Sequence, residues 1–141
     1  MPALTLAQAD QMISAALAAA RAAGHAAMAV VVLDESGHLK AARREDGASM
    51  FRIDIATGKA WAAVGMGTSS RKLAERAQGN PVFFNSLAST AGGRFLAQTG
   101  AVLIRDAAGA VLGAIGASGG SGDQDEAICI SGVEAAGLAV G

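Results

Sequence analysis

The sequence contains no tyrosine, one tryptophan, four phenylalanines, two prolines and a single cysteine in 141 residues. Each scarcity excludes something. With aromatics at 4%, the chain lacks the stacking platforms of a single-strand nucleic-acid binder. Lysine and arginine (11) nearly balance aspartate and glutamate (12), leaving a formal net charge of -1 and no basic footprint for nucleic acid or an anionic membrane. Cys129 has no cysteine to pair with inside the chain, which fits a reducing compartment. No uncharged apolar run approaches the roughly 18 residues of a membrane span. Met1 to Thr5 carries neither a basic stretch nor an apolar h-region, so no signal peptide is expected. These absences lead to the expectation of a soluble cytoplasmic protein with no nucleic-acid and no membrane partner.

What is present is a globular composition, 52% hydrophobic and 16% charged, with 19 glycines. The length suits one domain spanning residues 1–141, and a chain of this size buries roughly 70% of the surface its unfolded form exposes. No internal repeat, linker or low-complexity segment divides it.

Local signals predict nine elements. Thr5 and Gln8 form a capping box for a helix over about residues 6–23, with Gly24 closing it. Residues 27–33 are a continuous apolar run rich in β-branched side chains, which reads as a strand buried on both faces. A turn at residues 34–37 leads to a more polar strand over 38–43. Ser49 is placed to cap a helix over 50–64, Thr68-Ser69-Ser70 to start a short one over 71–77, and Asn80-Pro81 another. Residues 101–105 and 110–118 read as paired strands, and a further short strand is conceivable near Phe95. Ser121 and Gln124 repeat the capping-box spacing before a last helix over about 123–136. Strands that come in hairpin-like pairs, with helices between the pairs, predict an α+β fold built on a largely antiparallel sheet.

Three blocks then carry a resemblance. The first is the strand and turn Ala29-Val30-Val31-Val32-Leu33-Asp34-Glu35-Ser36-Gly37-His38-Leu39. The second is Asp46-Gly47-Ala48 followed by Ile53-Asp54-Ile55-Ala56-Thr57-Gly58-Lys59-Ala60. The third is Val111-Leu112-Gly113-Ala114-Ile115-Gly116-Ala117-Ser118-Gly119-Gly120 with Gln124-Asp125-Glu126 behind it. In this order, across nearly the whole chain, they resemble the GlcG/HbpS-like family, the haem-degrading domain family. The resemblance implies a profilin-like or PAS-like antiparallel sheet flanked by helices, assembly into homo-oligomers, and haem as a cofactor. The chain departs from the family pattern after Gly92-Gly93, where Arg94-Phe95-Leu96 replaces the expected Gly-Gly-x-Pro-type bend. That change bears on which ligand the protein takes.

The residues able to serve such chemistry are few. His25 and His38 are the only histidines, and either could ligate haem iron; surface positions are the competing reading. Arg52 and Lys59 could hold acidic groups, with Phe51 among the scarce aromatics to contact a flat ring. Arg43, Arg44 and Arg94 are further carboxylate or propionate clamps by type, although scattered surface arginines are commoner. Asp54 and Lys59 are the candidate catalytic pair, but five residues apart on a helix they point about 140° away from each other. A structural lysine pairing with a buried helix end or with a neighbouring subunit is the alternative for Lys59. Gly119-Gly120-Ser121-Gly122 precedes a helix, yet it lacks the phosphate-loop and dinucleotide signatures and reads as a turn. Cys129, between Ile128 and Ile130, reads as a buried inert thiol.

The leading expectation is therefore a small-ligand-binding protein, taking haem or another flat, carboxylate-bearing molecule at a pocket near a subunit interface. A cofactor-independent lyase, isomerase or hydrolase acting on an organic acid is the alternative, and a purely structural accessory subunit is the third.

Overall fold

The computed structural model describes residues 3–141. The chain runs α1 (Leu6–Ala22), β1 (Ala29–Asp34), β2 (Leu39–Arg44), α2 (Phe51–Met66), α3 (Ser70–Gly79), α4 (Pro81–Thr90), β3 (Ala101–Arg105), β4 (Val111–Ser118), α5 (Gly122–Ala135) and β5 (Ala139–Val140). All pairings are antiparallel, in the order β2-β1-β4-β3-β5, giving one α+β domain as the element pattern predicts.

Alternation along β1 explains why its apolar run is unbroken. Val30 and Val32 face a layer formed by α1 and α5, where they meet Met12, Ile13, Ile128 and Val133. Val31 and Leu33 face the opposite layer, where α2 lays Ala56, Ala60 and Ala63 against the sheet. Antiparallel sheets often leave one face to water, but here helices cover both, so neither side of β1 is polar. A third, smaller cluster joins α2 to α3 and α4 through Ala62, Leu73, Phe84 and Phe95.

Glycine and alanine allow this close layering. A Cβ on Gly116 of β4 would lie 2.5 Å from the Ala56 carbonyl oxygen of α2. A Cβ on Gly132 of α5 would lie 2.5 Å from the Met12 carbonyl oxygen of α1. The helices therefore rest almost directly on backbone, and large side chains have no room at these crossings.

Both capping boxes form. The Thr5 hydroxyl accepts the Gln8 N–H at 3.1 Å while the Gln8 amide oxygen accepts the Thr5 N–H at 3.0 Å, and Ser121 and Gln124 do the same for α5. Three local expectations differ. Ser49 does not cap α2 with its side chain; its carbonyl accepts the Arg52 N–H, and Met50 holds the cap position. No strand forms at Phe95, because the Leu96 N–H donates to the Gly58 carbonyl and lays the segment on α2 instead of on a sheet edge. The two-residue β5, pairing with β3, is too short to carry a sequence pattern.

This packing gives a contrasting pair of expectations. Gly132→Val must push α5 off α1 and should cost about 1–3 kcal/mol. Gly65→Ala, where an added Cβ meets nothing within 4 Å, should raise stability by roughly 0.5–1 kcal/mol. Urea denaturation of the two variants checks this, and equal shifts would contradict the close α1–α5 crossing.

Candidate functional site

Arg52, Ile55 and Lys59 follow one another at i, i+3 and i+7 along α2, so they share one helix face. That face forms one wall of a cavity of about 650 Å³. The opposite walls come from the irregular segment after α4, which contributes Leu96, Gln98 and Thr99, and from the end of β4 and the start of α5, which contribute Ser118, Gly120 and Asp125. The cavity thus lies where the two helical layers meet beyond the end of the sheet.

Lys59 and Asp125 hold this corner together. The Lys59 ammonium donates to an Asp125 carboxylate oxygen at 3.0 Å and to the Ala117 carbonyl at 3.1 Å. Asp125 uses its other oxygen to accept the Gly120 N–H at 2.9 Å. Only 6% and 2% of the two side chains remain exposed. Space for Lys59 depends on Gly100, whose φ of +137 suits glycine and whose missing Cβ would lie 2.7 Å from the ammonium.

Beside this pair, Arg52 donates from its guanidinium to the Ser118 hydroxyl at 3.1 Å. Among the described residues it has no carboxylate within 4.0 Å. The carboxylates of the first α5 turn are occupied elsewhere. Arg71 of α3 binds Glu126 through two nitrogens and also binds Asp123. These hydrogen bonds, Glu126 first and then Asp123, raise the affinity of the Arg71 guanidinium for its proton above the ordinary value.

Of the residues picked out by chemical type, only Arg52 and Lys59 meet in this cavity. Asp54 is exposed and lines a separate 390 Å³ cleft with Thr57, Gly92, Gly93 and Arg94. His25 is half-buried after α1, and His38 is exposed at the turn before β2. Asp34, 4.0 Å from the His38 imidazole, has a structural task. Partial desolvation works to raise its carboxyl pKa, but hydrogen bonds from the His38 and Ser36 N–H groups outweigh this and hold it below the ordinary value. Phe51 is 59% exposed, one helical turn before Ile55. Arg43 is tied to Ser14 and Asp10, Arg44 to the Ala48 carbonyl, and Arg94 lies 4.4 Å over the Trp61 ring.

Three residues of this region escaped a reading by type: Asp125, Ser118 and Arg71. The capping box does place Asp125 in the first turn of α5, but its partner Lys59 lies 66 residues away. The turn reading of residues 119–122 agrees with the hydrogen bonding. The Gly120 N–H is taken by Asp125 and the Ser121 N–H by Gln124, so neither is free for a phosphate.

Two expectations follow. Asp125→Ala leaves the Lys59 charge buried without its partner and should cost about 3–5 kcal/mol, most of it recovered in a Lys59→Met/Asp125→Leu double variant; denaturation curves of the set decide this, and failure of the double variant to recover would contradict a self-contained pair. The second concerns Cys129, which is fully buried. Burial, reinforced by nearby Asp125 and opposed by Lys59, pushes its thiol pKa far above the ordinary value. The folded state keeps a proton that the unfolded chain releases above about pH 8.5. This contribution to stability is therefore complete below that pH and declines as pH rises further. Iodoacetamide at alkaline pH should label Cys129 only as fast as the protein unfolds, and rapid labelling of the folded protein would contradict the burial.

Similarity to known proteins agrees with this architecture. A sequence model of the family described as "Haem degrading protein HbpS-like" matches residues 4–134. No curated protein matches the chain. Among solved structures, the fold is similar to PduOC in a haem complex (27% identity, TM-score 0.86, covering 99% of this chain and 98% of that one). It is also similar to Klebsiella pneumoniae protein ORFY (26%, TM-score 0.85, 95% and 90%). A double mutant of Streptomyces reticuli HbpS is a third such structure (28%, TM-score 0.79, 95% and 87%). With a family match over nearly its full length and the same fold in these relatives, the chain belongs to the HbpS-like haem-degrading protein family.

Proposed function

We propose that this protein binds a small ligand, and that the cavity between α2 and the start of α5 receives the carboxylate of haem or of another flat, carboxylate-bearing molecule. The observation that carries this reading is Arg52, half-buried on the cavity wall and bonded only to a neutral hydroxyl. A guanidinium presents five N–H donors in a planar fork that matches a carboxylate in two-point contact. Lys59 commits two of its three N–H groups, to Ala117 and Asp125. Its third is a further donor at the same wall. Phe51 and Ile55, one turn apart, extend an apolar strip outward from the cavity on which a flat ring could rest.

Haem fits this site in part. Its propionate suits Arg52, and the family and the PduOC haem complex support haem as a ligand. Among the described residues no histidine, cysteine or methionine lines the cavity, however, so an iron ligand has to come from outside it. Either His25 or His38 stays the proposed axial ligand, reaching a ring that projects beyond the cavity; His25 precedes β1, whose first residue pairs with Ser118, and His38 lies past the other end of that strand. The exposed Met50 and Phe51 beside Arg52 support a site closed by a second copy in a homo-oligomer. A second reading, turnover of an organic acid, is favoured by the polar lining and by the buried Lys59–Asp125 pair in its wall. That reading has no use for Asp54, which lies in the other cleft.

Hemin titration followed by Soret absorbance tests the proposal on the wild type and on Arg52→Gln, His25→Ala and His38→Ala. The expected result is a saturable, shifted band, weakened about tenfold or more by Arg52→Gln (about 1.4 kcal/mol) and abolished by one histidine substitution. Binding indifferent to Arg52 overturns the carboxylate site, and absence of saturable hemin binding removes haem and leaves the organic acids.

A further inference from the structure

The charges around the cavity cancel in a way that selects among carboxylates. Lys59 is neutralised by Asp125. Arg71, outside the cavity, is shared by Asp123, which lines it, and Glu126. Arg52 is left with a hydroxyl. One negative charge can therefore be placed at Arg52 with a gain. A second charge on a small ligand held wholly inside the cavity would share it with the Asp123 carboxylate, which has only part of Arg71 because Glu126 binds the same guanidinium. Like charges a few ångströms apart are unfavourable even with solvent screening.

The uncharged lining points to the rest of the ligand. Ser118 is only 1% exposed and its oxygen accepts from Arg52, so its own O–H proton is available to an acceptor. Thr99, Ser121 and Gln98 also line the cavity, and hydroxyl and carboxamide groups both donate and accept. Ile55 and Leu96 supply the apolar contact. Such a wall matches hydroxyl groups better than a bare hydrocarbon.

We propose that the cavity takes a small monocarboxylate bearing hydroxyl groups, with its carboxylate on Arg52 and Ser118, and that Arg71 keeps the site open to this one negative charge by offsetting part of the charge of Asp123 and Glu126. The inference rests on the reading of the cavity as a carboxylate site and narrows it. Arg71 is a positioning residue here: it touches α5, not the ligand.

The test is isothermal titration of the full chain with three molecules on one six-carbon polyol skeleton: gluconate, glucarate and sorbitol, of charge -1, -2 and 0. Gluconate should bind saturably, at least about tenfold tighter than either of the others, with Arg52→Gln reducing it to the level of sorbitol. Arg71→Gln should weaken gluconate several-fold and leave sorbitol unchanged, and Asp123→Asn added to Arg71→Gln should restore gluconate. Thermal melts confirm that each variant is folded. Glucarate or sorbitol binding as tightly as gluconate overturns the inference, as does absence of binding by all three up to about 10 mM. Uniform weakening of gluconate and sorbitol by Arg71→Gln, without rescue, would make Arg71 purely structural and overturn its part. Hemin binding that still depends on Arg52 while gluconate shows no preference defeats this inference alone. Loss of Arg52 dependence for both ligands defeats the carboxylate reading beneath it.

Discussion

The buried contact of Lys59 with Asp125 and the Ala117 carbonyl joins three parts of the molecule that would otherwise meet only through the sheet. Lys59 comes from the helix on one face, Asp125 from the first turn of a helix on the other, and Ala117 from the central strand between them. Desolvating both charges is costly, and their mutual attraction is worth keeping only where further hydrogen bonds satisfy them. Here Gly120 supplies one such bond, and Gly100 supplies the space by lacking a side chain. Lys59, Gly120 and Asp125 also line the cavity, so the geometry of the ligand site depends on a contact that ties the two helical layers to each other.

The composition follows from the same layering. With α2 resting on the backbone of β4 at Gly116, and α5 on α1 at Gly132, the crossings select alanine and glycine over larger side chains. The few aromatics go elsewhere. Phe84 and Phe95 fill the cluster under α3 and α4, Trp61 is covered by Arg94, and Phe51 stands exposed beside the cavity. The Arg94-Phe95-Leu96 segment has a physical role in this chain. It brings Leu96 onto Gly58 of α2 and into the cavity wall.

How much could be read in advance depended on how local each signal was. Thr5 with Gln8, and Ser121 with Gln124, announce their helices because cap and partner are three residues apart. The apolar run of β1 is legible because alternation fails only when both faces are covered. Ser49 misled because a backbone carbonyl turned the chain where a hydroxyl was expected, and β5 is shorter than any periodicity. In the site, Arg52 and Lys59 fall on one face by simple helical spacing. Ser118 and Asp125 join them, and Arg71 reaches Glu126, only through tertiary packing, over separations of 55 to 66 residues that no pattern in one sequence records. The histidines drew notice for their chemistry alone, and chemistry without position could not say that neither lines this cavity.

The central claim is that the carboxylate of the ligand is received at Arg52, between α2 and the start of α5. Nitrogen-15 NMR during titration with a diamagnetic zinc protoporphyrin tests it most directly, because every backbone amide and the Arg52 side-chain N–H report separately. The account predicts that the Arg52 side-chain signal and the amides of Ser118, Gly120 and Asp125 shift together and saturate. Shifts confined to the surroundings of His25 or His38, with Arg52 and the start of α5 unmoved, would contradict it.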